Sequence, residues 1–514
     1  REIGERVEVA VGVLPRELML AFVEDCAAAG VKNVIVCAAG YSDAGAEGER
    51  MQVELARAVR ERGMRMMGPN SVGTISTSSG FVTSLMSLDP LEPGDISIVA
   101  QTGLFAGGYA RWISSTQRFG ISRVACLGNK ADVSETDLML DWAEDPQTRV
   151  ILAYIEGVPN GPEFMRVARQ VSRKKPILVL KSGVTEAGSR AVSSHTGSLA
   201  GAEAAYDAAF YQAGVLRMNS LEELFSNARA FANQPLLKGN RIAIITNAGG
   251  PGILATDTLE RCGMQLARLQ RETVQKLEEF LPDAASAANP VDVLGDARHD
   301  RYAQALELVA ADPNVDGLLC IVTPQAMTDI IETANAVGKL SQRTDKPILG
   351  VFMGGERAKA GEDVLASYSV PNYKFPEQAA RAFAAMRDYI AARDRPEPEY
   401  VTFDVDKATV RKVFDQVLAE GRVSVGEAEA REVARAYGLR LPQSELAASA
   451  DEAVRIANKI GYPVVLKIAS PDILHKTDVG GVKVGLQNAA DVRDAFDLIV
   501  YRATRYVPDA RIWG

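Results

Sequence analysis

The chain has 514 residues, 47% hydrophobic and 24% charged, a composition typical of a globular protein with several domains. Its net charge of −9, without a long basic block, argues against nucleic acid or an anionic membrane surface as the main partner. No apolar run is long enough for a transmembrane helix, no signal-peptide pattern is found, and the five cysteines are scattered without a CxxC pair. We therefore expect a cytoplasmic protein whose thiols are reduced.

Residues 1–88 alternate between strand-like and helix-like segments. Strands are predicted near residues 7–13, 34–37 and 64–67, with helices between them. This is the pattern of a doubly wound parallel sheet whose ligand loops lie at the carboxyl ends of the strands. The third strand leads into the loop Gly68-Pro69-Asn70-Ser71-Val72-Gly73. The glycine-rich turn that opens such domains is not found, so we expect further residues before Arg1.

An internal repeat follows, with one copy in residues 91–235 and the other in residues 236–390. Each copy contains a strand, a loop that leads into a helix, an Asp-Pro pair, a second strand and a Lys-Pro strand, in the same order. The pattern predicts two flavodoxin-like, doubly wound domains. The loop after the first strand is Gln101-Thr102-Gly103 in the first copy and Asn247-Ala248-Gly249-Gly250 in the second.

The last Lys-Pro strand of the first copy is followed by the stretch Ser193-Ser194-His195-Thr196-Gly197-Ser198-Leu199-Ala200-Gly201, whereas the second copy has no histidine there. Hydroxyl groups, backbone N–H groups and glycines suit a phosphoryl group. A neutral imidazole can also attack phosphorus and form a covalent intermediate. On the local residues alone, His195 is either such a nucleophile or an exposed loop histidine before a helix.

Residues 391–423 contain several prolines and charges and predict an exposed linker, after which a further domain begins near residue 424. In that domain a strand ends in Lys467 and is followed by a loop, 470–481, that closes with two glycines. A lysine supplies positive charge and a glycine backbone can close over a ligand, so this arrangement suits nucleotide phosphates. The loop offers little apolar surface to bury, so we expect it to be mobile.

Five motifs occur in order along the chain: GPNSVG at 68–73, GNKADV at 128–133, SSHTGSLAG at 193–201, NPVDV at 289–293 and SPDILHKTDVGG at 470–481. Together they resemble the NDP-forming acyl-CoA synthetases, the ADP-forming acetyl-CoA synthetase group related to succinyl-CoA synthetase. The resemblance covers essentially the whole chain and implies an α/β fold. The implied parts are a Rossmann-like CoA-binding domain at 1–88, two flavodoxin-like ligase domains at 91–235 and 236–390, a linker at 391–423 and an incomplete ATP-grasp domain at 424–514.

The resemblance also implies roles for single residues. His195 matches the histidine that carries the phosphoryl group, and Glu156 matches the glutamate that orients this histidine through its other ring nitrogen. His475 matches a second histidine that ferries phosphate on a mobile loop. On local residues alone, Glu156 is a strand-end carboxylate in solvent and His475 is a polar loop histidine. The implied binding residues are Gln101, Thr102 and Gly103 for phosphate, Pro15 and Asn70 for coenzyme A, and Lys467, Gly480 and Gly481 for nucleotide.

The implied reaction is acyl-CoA + ADP + phosphate ⇌ acid + CoA + ATP, through an acyl phosphate and a phosphohistidine. The implied cofactors are ATP/ADP, coenzyme A and Mg²⁺, the Mg²⁺ ligands are expected beyond Gly514, and a homodimer is expected. Two alternatives remain: an acetyl-CoA-sensing module of a protein lysine acetyltransferase, and a CoA- or nucleotide-binding regulatory protein. The sequence leaves open which carboxylic acid is the substrate and whether the nucleotide is ATP or GTP.

Overall fold

The computed structural model describes residues 5–85, 91–106, 109, 112–113, 119–185, 187–188, 203–397, 401–473 and 475–514. The chain divides into two compact units, residues 1–396 and residues 397–514. No helix within the described ranges is long and apolar enough to cross a membrane.

The first unit begins with three parallel strands, β1 (Val9–Gly12), β2 (Asn33–Val36) and β3 (Arg65–Met67), which form a sheet in that order. Helices α1 (Met19–Ala28) and α2 (Ala46–Glu61) connect them. Apolar residues of these helices, including Met19, Val23 and Leu55, pack against Val34 and Met66 of the strands. The predicted alternation of strands and helices is confirmed, and the loops after the three strands lie along one edge of the sheet.

The second sheet has seven strands. They are β4 (Gly73–Ser76), β5 (Phe81–Val82), β6 (Pro93–Ala100), β7 (Ile121–Cys126), β8 (Val150–Ile155), β9 (Ile177–Lys181) and β10 (Leu216–Met218). Their order is β10-β9-β8-β6-β7-β4-β5, with β6 to β10 parallel and β4 antiparallel to both β7 and β5. The segment 1–88 therefore supplies strands to two sheets. The described helices here are α3 (Glu135–Glu144), α4 (Gly161–Ser172), α5 (Glu203–Ala213) and α6 (Leu221–Asn233).

The third sheet is parallel in its paired strands. They are β11 (Arg241–Thr246), β12 (Gln265–Leu266), β13 (Val291–Asp292), β14 (Gly317–Val322) and β15 (Ile348–Phe352). Their order is β12-β11-β14-β15, and β13 pairs with the end of β11. The helices are α7 (Gly249–Arg261), α8 (Arg271–Glu278), α9 (His299–Ala311), α10 (Ile330–Ser341), α11 (Lys359–Ser367) and α12 (Pro376–Arg393).

The central strands of the second sheet pair in the same register as those of the third sheet. In the second sheet Ile96 pairs with Val150, and Ile151 pairs with Ile177. In the third sheet the residues at the corresponding positions pair in the same way, Ile242 with Gly317 and Leu318 with Ile348. The central strands are apolar along most of their length, as expected where both faces of a parallel sheet are covered by helices. The prediction of two repeated flavodoxin-like domains is confirmed.

The second unit contains helices α13 (Lys407–Ala419), α14 (Glu427–Ala436), α15 (Ala450–Ile460) and α16 (Ala489–Tyr506), and strands β16 (Val464–Lys467) and β17 (Val482–Leu486). The two strands are antiparallel. Helix α13 lies within the predicted linker 391–423 and contacts α14. It begins where the Asp406 carboxylate accepts the N–H of Thr409, and it buries Val410, Val413 and Val417 on one face.

Candidate active site

The carboxyl ends of four parallel strands bring the candidate catalytic residues of the first repeat together. Ala100 of β6 pairs with Cys126 of β7 and Tyr154 of β8, and Ile155 of β8 pairs with Lys181 of β9. The residues that follow these strands therefore lie along one edge of the sheet, where ligands bind in open α/β sheets. The sequence predicted this edge as the site.

Gln101 and Glu156 are in direct contact at this edge. The Gln101 side-chain oxygen accepts the backbone N–H of Glu156 at 2.8 Å and that of Gly157 at 3.1 Å. Gln101 was predicted to bind phosphate, but its side-chain oxygen is used to hold the backbone beside the glutamate. Its neighbour Gly103 starts a short 3-10 turn, and a Cβ there would lie 2.7 Å from the Val72 side chain, which explains the glycine.

The Glu156 carboxylate is buried, with only 5% of the residue exposed, and is not the solvated strand-end carboxylate that local sequence suggests. One of its oxygens, Oε2, has no hydrogen-bond partner among the described residues. A buried carboxylate oxygen without a partner is costly, because it has lost its hydration. This atom is therefore suited to accept a hydrogen bond from a group such as an imidazole N–H.

His195 and the rest of its motif, 193–201, lie outside the described residues. The motif belongs to the connection between β9, which ends at Lys181, and α5, which begins at Glu203. Since β9 is the neighbour of β8, this connection starts beside the strand that leads into Glu156.

Lys181 is a second charged residue at this edge, and sequence reasoning did not select it. The residue is 4% exposed, its ammonium lies 4.6 Å from the centre of the Tyr206 ring, and it donates a hydrogen bond to the Ser182 carbonyl. Burial lowers the pKa of Lys181 to about 8, although the negative charge of Glu156 acts in the opposite direction. The sequence signal that could have identified Lys181 is a charged residue at the end of an otherwise apolar strand.

The GNKADV motif forms a turn between the first two sheets. Gly128 and Lys130 both have left-handed backbone conformations, with φ of +58° and +54°. A Cβ on Gly128 would lie 2.2 Å from the Pro69 carbonyl oxygen, so only glycine fits this close approach. The Lys130 ammonium donates to Glu135 Oε2 at 2.9 Å and to the Gly157 carbonyl at 2.5 Å.

The first turn of the helix after this motif holds Glu135, the ion-pair partner of Lys130, in place. Ser134 has an extended backbone, and its N–H donates to the Asp137 carboxylate at 2.9 Å in a capping box. Helix α3 thus begins at Glu135, in the first turn after the loop, and the side chains of Lys130 and Glu135 are 3% and 2% exposed.

The predicted CoA residues lie in two loops of the first sheet. Asn70, with φ of +60°, follows β3, and its amide is 3.4 Å from the side-chain oxygen of Asn129. Asn129 donates in turn to Asp43 and Gln52, each at 2.9 Å. These contacts connect the GNKADV turn to the carboxyl edge of the first sheet. Pro15 is exposed in the loop after β1, where its carbonyl accepts the N–H of Leu18.

The residue after Asn70 has a structural contact. Ser71 is buried, its hydroxyl donates to the Cys126 carbonyl at 2.6 Å, and it accepts the N–H of Gly73. It therefore joins the loop after β3 to the end of β7.

The predicted nucleotide residues meet in the second unit because β16 and β17 are antiparallel. Lys467 pairs with Val482, which directly follows Gly480 and Gly481. The Lys467 ammonium is 3.2 Å from the Glu427 carboxylate, which also lies 3.5 Å from Lys476. Burial opposes ionisation of Glu427, but the two lysines hold its pKa below the ordinary value. Lys467 thus lies beside the glycine loop with an acidic counter-ion.

The loop 470–481 is packed more tightly than its composition indicated. Ile473 and Val479 are buried against Ile468 and helix α16, so the expectation of little buried apolar surface was wrong. A Cβ on Gly481 would lie 2.7 Å from the Ile468 side chain. His475 is exposed, and its carbonyl accepts the N–H of Asp478. Its side chain is therefore presented to solvent from an anchored turn.

No group of three or more His, Cys, Asp or Glu side chains suited to a metal ion is found among the described residues. The placement of the Mg²⁺ ligands stays a prediction, and no chemical step below is assigned to the metal.

The NPVDV motif contacts a different part of the fold from the GNKADV and GPNSVG motifs. Asn289 accepts the N–H of Ile244 and donates to the carbonyls of Ile242 and Ala267, all within the third sheet. The NPVDV motif is therefore a structural link between strands, whereas the other two motifs lie at the candidate site.

Family models match most of the chain. A succinyl-CoA ligase-like flavodoxin domain matches residues 93–231, a ligase-CoA domain matches residues 242–394 and an ATP-grasp domain matches residues 416–514.

The chain is also similar to individual characterised proteins. It is 39% identical over its whole length to acetate–CoA ligase [ADP-forming] I of Archaeoglobus fulgidus, covering 73% of that protein. It is 37% identical over its whole length to 4-hydroxybutyrate–CoA ligase [ADP-forming] of Nitrosopumilus maritimus, covering 74% of it. Among solved structures, acetyl-coenzyme A synthetase 1 of Ca. Korarchaeum cryptofilum in complex with phosphate and ADP matches with a TM-score of 0.72 and 34% identity, over 76% of this chain and 84% of that one.

Proposed function

The chain belongs to the family of ADP-forming acetate–CoA ligases, and we propose that it transfers the phosphoryl group through His195, oriented by Glu156. As an acid–CoA ligase it interconverts acyl-CoA, ADP and phosphate with acid, CoA and ATP. Because the relatives that match the whole chain are ligases, the alternative of an acetyl-CoA-sensing acetyltransferase module is not supported.

One observation carries the proposed role of Glu156. Its carboxylate is buried at the carboxyl edge of the second sheet, with Oε2 unpartnered among the described residues, and its backbone is held by Gln101. A fixed carboxylate that lacks a partner can accept the N–H of one imidazole nitrogen. This bond would leave the other nitrogen with its lone pair directed at phosphorus and would stabilise the positive charge that develops on the ring.

The chemistry proceeds in four displacements. A phosphate oxygen attacks the thioester carbonyl carbon, and the CoA thiolate leaves to give an acyl phosphate. An imidazole nitrogen of His195 then attacks phosphorus, and the carboxylate of the acid leaves. A ring nitrogen of His475 next attacks this phosphohistidine, and neutral His195 leaves. An oxygen of the ADP β-phosphate finally attacks the phosphorus on His475, which forms ATP and releases neutral His475. Positioning and electrostatic stabilisation supply most of the rate in such transfers.

The remaining residues have binding roles in this proposal. Backbone N–H groups at Thr102 and Gly103 contact the phosphate, while Gln101 fixes the loop to Glu156. Pro15 and Asn70 contact CoA, and Lys467, Gly480 and Gly481 contact the nucleotide phosphates, with His475 carrying the phosphoryl group on the nucleotide side. ATP/ADP, CoA and Mg²⁺ are the cofactors of the reaction, and the Mg²⁺ ligands are proposed to lie outside residues 1–514.

We further propose a cytoplasmic homodimer with the domain boundaries predicted from sequence. The five cysteines are free thiols, which supports a reducing compartment, and the separate sheets and the two compact units support a division into several domains.

The test is a phosphoenzyme experiment with the full-length protein. We expect labelled ATP and Mg²⁺ to give an acid-labile, base-stable label that is lost in His195→Ala. We expect His475→Ala to lose labelling from ATP but to keep labelling from labelled acyl phosphate, because that half-reaction does not involve the nucleotide site. If His195→Ala labels and turns over like the wild type, the proposal is wrong. If His475→Ala keeps both reactions, His475 has no carrier role.

A further inference from the structure

The short segment 156–158, which carries the catalytic glutamate, is held at three backbone positions by three different parts of the fold. Gln101 accepts the N–H groups of Glu156 and Gly157, as described above. The N–H of Val158 donates to the Tyr206 hydroxyl at 3.3 Å. The carbonyl of Gly157 accepts the Lys130 ammonium at 2.5 Å. These contacts fix the backbone of the segment that carries Glu156, while Oε2 of its carboxylate has no partner among the described residues.

Lys130 is the charged member of this set. Its ammonium is held by the buried carboxylate of Glu135 and, within the part of the chain that the structure describes, donates to one backbone carbonyl, that of Gly157. Lys130 has a left-handed backbone, which disfavours any side chain relative to glycine. A lysine at a position where glycine would fit better indicates that its side chain is required.

The same turn faces the predicted CoA loops. The residue before Lys130, Asn129, contacts Asn70, Asp43 and Gln52, and its N–H donates to the Pro69 carbonyl. Adjacent residues of one turn therefore contact the CoA edge of the first sheet and the Glu156 segment of the second.

We propose that Lys130 is a positioning residue that sets the place of the Glu156 carboxylate through the Gly157 carbonyl. The turn that carries it links this carboxylate to the loop that holds CoA. The inference rests on the proposed function of Glu156. Lys130 does not touch the reacting atoms; it acts through the backbone of the glutamate.

The experiment compares Lys130→Met with a matched control, Lys175→Met, in the full-length protein. Lys175 belongs to the same domain and also donates to two backbone carbonyls, those of Trp142 at 2.6 Å and Asp145 at 2.5 Å. It lies at the opposite edge of the sheet, before β9. We expect Lys130→Met to lower kcat at least about tenfold, with the KM for ADP within about twofold of wild type, because a small displacement of a catalytic group has a large effect on rate. Lys175→Met, measured per folded molecule, should keep kcat within about twofold.

Removing Lys130 alone leaves the Glu135 carboxylate buried without a counter-ion, which can prevent folding. A second variant, Lys130→Met with Glu135→Leu, removes both charges and also loses the bond to Gly157. Circular dichroism and the melting temperature identify which variants are folded. We expect the double variant to be folded and to show the same loss of kcat.

A double-mutant cycle separates positioning from a general structural effect. In the Glu156→Gln background, Lys130→Met with Glu135→Leu should cause no further loss of residual phosphohistidine formation, because the residue through which Lys130 acts has already been disabled. An equal loss in both backgrounds, or wild-type kcat in the folded double variant, would overturn the inference. If Glu156→Gln itself turns over normally, the proposed function fails first, whatever the Lys130 variants do.

Discussion

The two flavodoxin-like domains are alike at one edge of their sheets and different at the other. At the amino edge, Lys175 donates to the carbonyls of Trp142 and Asp145, and Lys346 donates to those of Ala310 and Asp312. The two lysines precede equivalent strands, β9 and β15. These lysine hydrogen bonds are the same in both domains because they hold the ends of strands and helices together, a role that does not depend on a ligand.

At the carboxyl edge the domains keep one contact and change the residues around it. Gln101 holds the N–H of Glu156 in the first domain, and Asn247 accepts the N–H of Thr323 at 2.9 Å in the second. By strand register Thr323 occupies the position of Glu156, and Phe352 that of Lys181. The second domain therefore has the scaffold without the buried acid and the buried amine. The comparison teaches that the strand-end amide belongs to the shared fold, whereas the buried acid and the buried amine are specific to the domain that carries the proposed site.

The largest effect expected from this comparison concerns the acid. Glu156→Gln keeps the size of the side chain but removes the negative charge, so the imidazolium-like charge on His195 is no longer stabilised. We expect kcat and the rate of phosphohistidine formation to fall roughly 10²- to 10⁴-fold. The measurement is a single-turnover labelling rate from ATP, together with steady-state turnover.

Thr323→Val is the matched change in the second domain. It removes the hydroxyl that donates to Asn247 at 3.1 Å and leaves the backbone contact in place. Turnover should remain within about threefold of wild type, because this change removes two hydrogen bonds, to Asn247 and from Gln325, that are remote from the proposed chemistry. A loss as large as that of Glu156→Gln would mean that both carboxyl edges take part directly in catalysis, and the comparison would fail.

A smaller effect is expected from the amides that the two domains share. Gln101→Leu leaves two backbone N–H groups without their acceptor, and Asn247→Leu leaves one, so each variant should lose about 1–3 kcal/mol of unfolding free energy for each buried N–H. Only Gln101→Leu should also lower kcat, by roughly tenfold, because only that N–H pair belongs to a catalytic segment. Chemical denaturation and turnover per folded molecule measure the two effects. If both variants lower kcat equally, the amide contact has the same role in both domains.

Sequence reasoning predicted the repeat and the edge on which the site lies, because apolar strands and the loops after them leave a periodic pattern. It placed Glu156 and Gln101 at that edge and assigned the loop of Gln101 to phosphate, but it did not predict that the Gln101 side chain holds the backbone of Glu156. The contact with Glu156 joins residues 55 positions apart, and that of Lys130 with Gly157 joins residues 27 positions apart. Such pairs depend on the register between parallel strands, which local sequence does not encode. The antiparallel pairing of β4 with β7 was missed because it also joins segments that are distant in the sequence.

The smallest expected effect is a pH dependence of stability at Lys181. Burial lowers its pKa to about 8 in the folded protein, against an ordinary value of 10.5. Below pH 8 the ammonium is charged in both states, and the folded state carries the full cost of burying it. Between pH 8 and 10.5 the folded protein releases this proton while the unfolded chain keeps it, so the cost declines as pH rises and disappears above 10.5. Lys181→Met should therefore gain stability relative to wild type at pH 7, by an amount that shrinks toward pH 10.5.

The change in this difference across the pH window, on the order of 2–3 kcal/mol, is the quantity to measure, by denaturation of both proteins at pH 7 and at pH 10. The Tyr206 ring attracts only the charged amine, so the loss of this contact offsets part of the gain at pH 7 and makes the measured change smaller. Phe352→Leu, at the equivalent position of the second domain, is the control, since neither side chain titrates and its effect should be the same at both pH values. If the difference in unfolding free energy between Lys181→Met and wild type is the same at both pH values, the Lys181 amine keeps its ordinary pKa. The contrast between a buried amine and a buried phenylalanine at this strand end would then not be electrostatic.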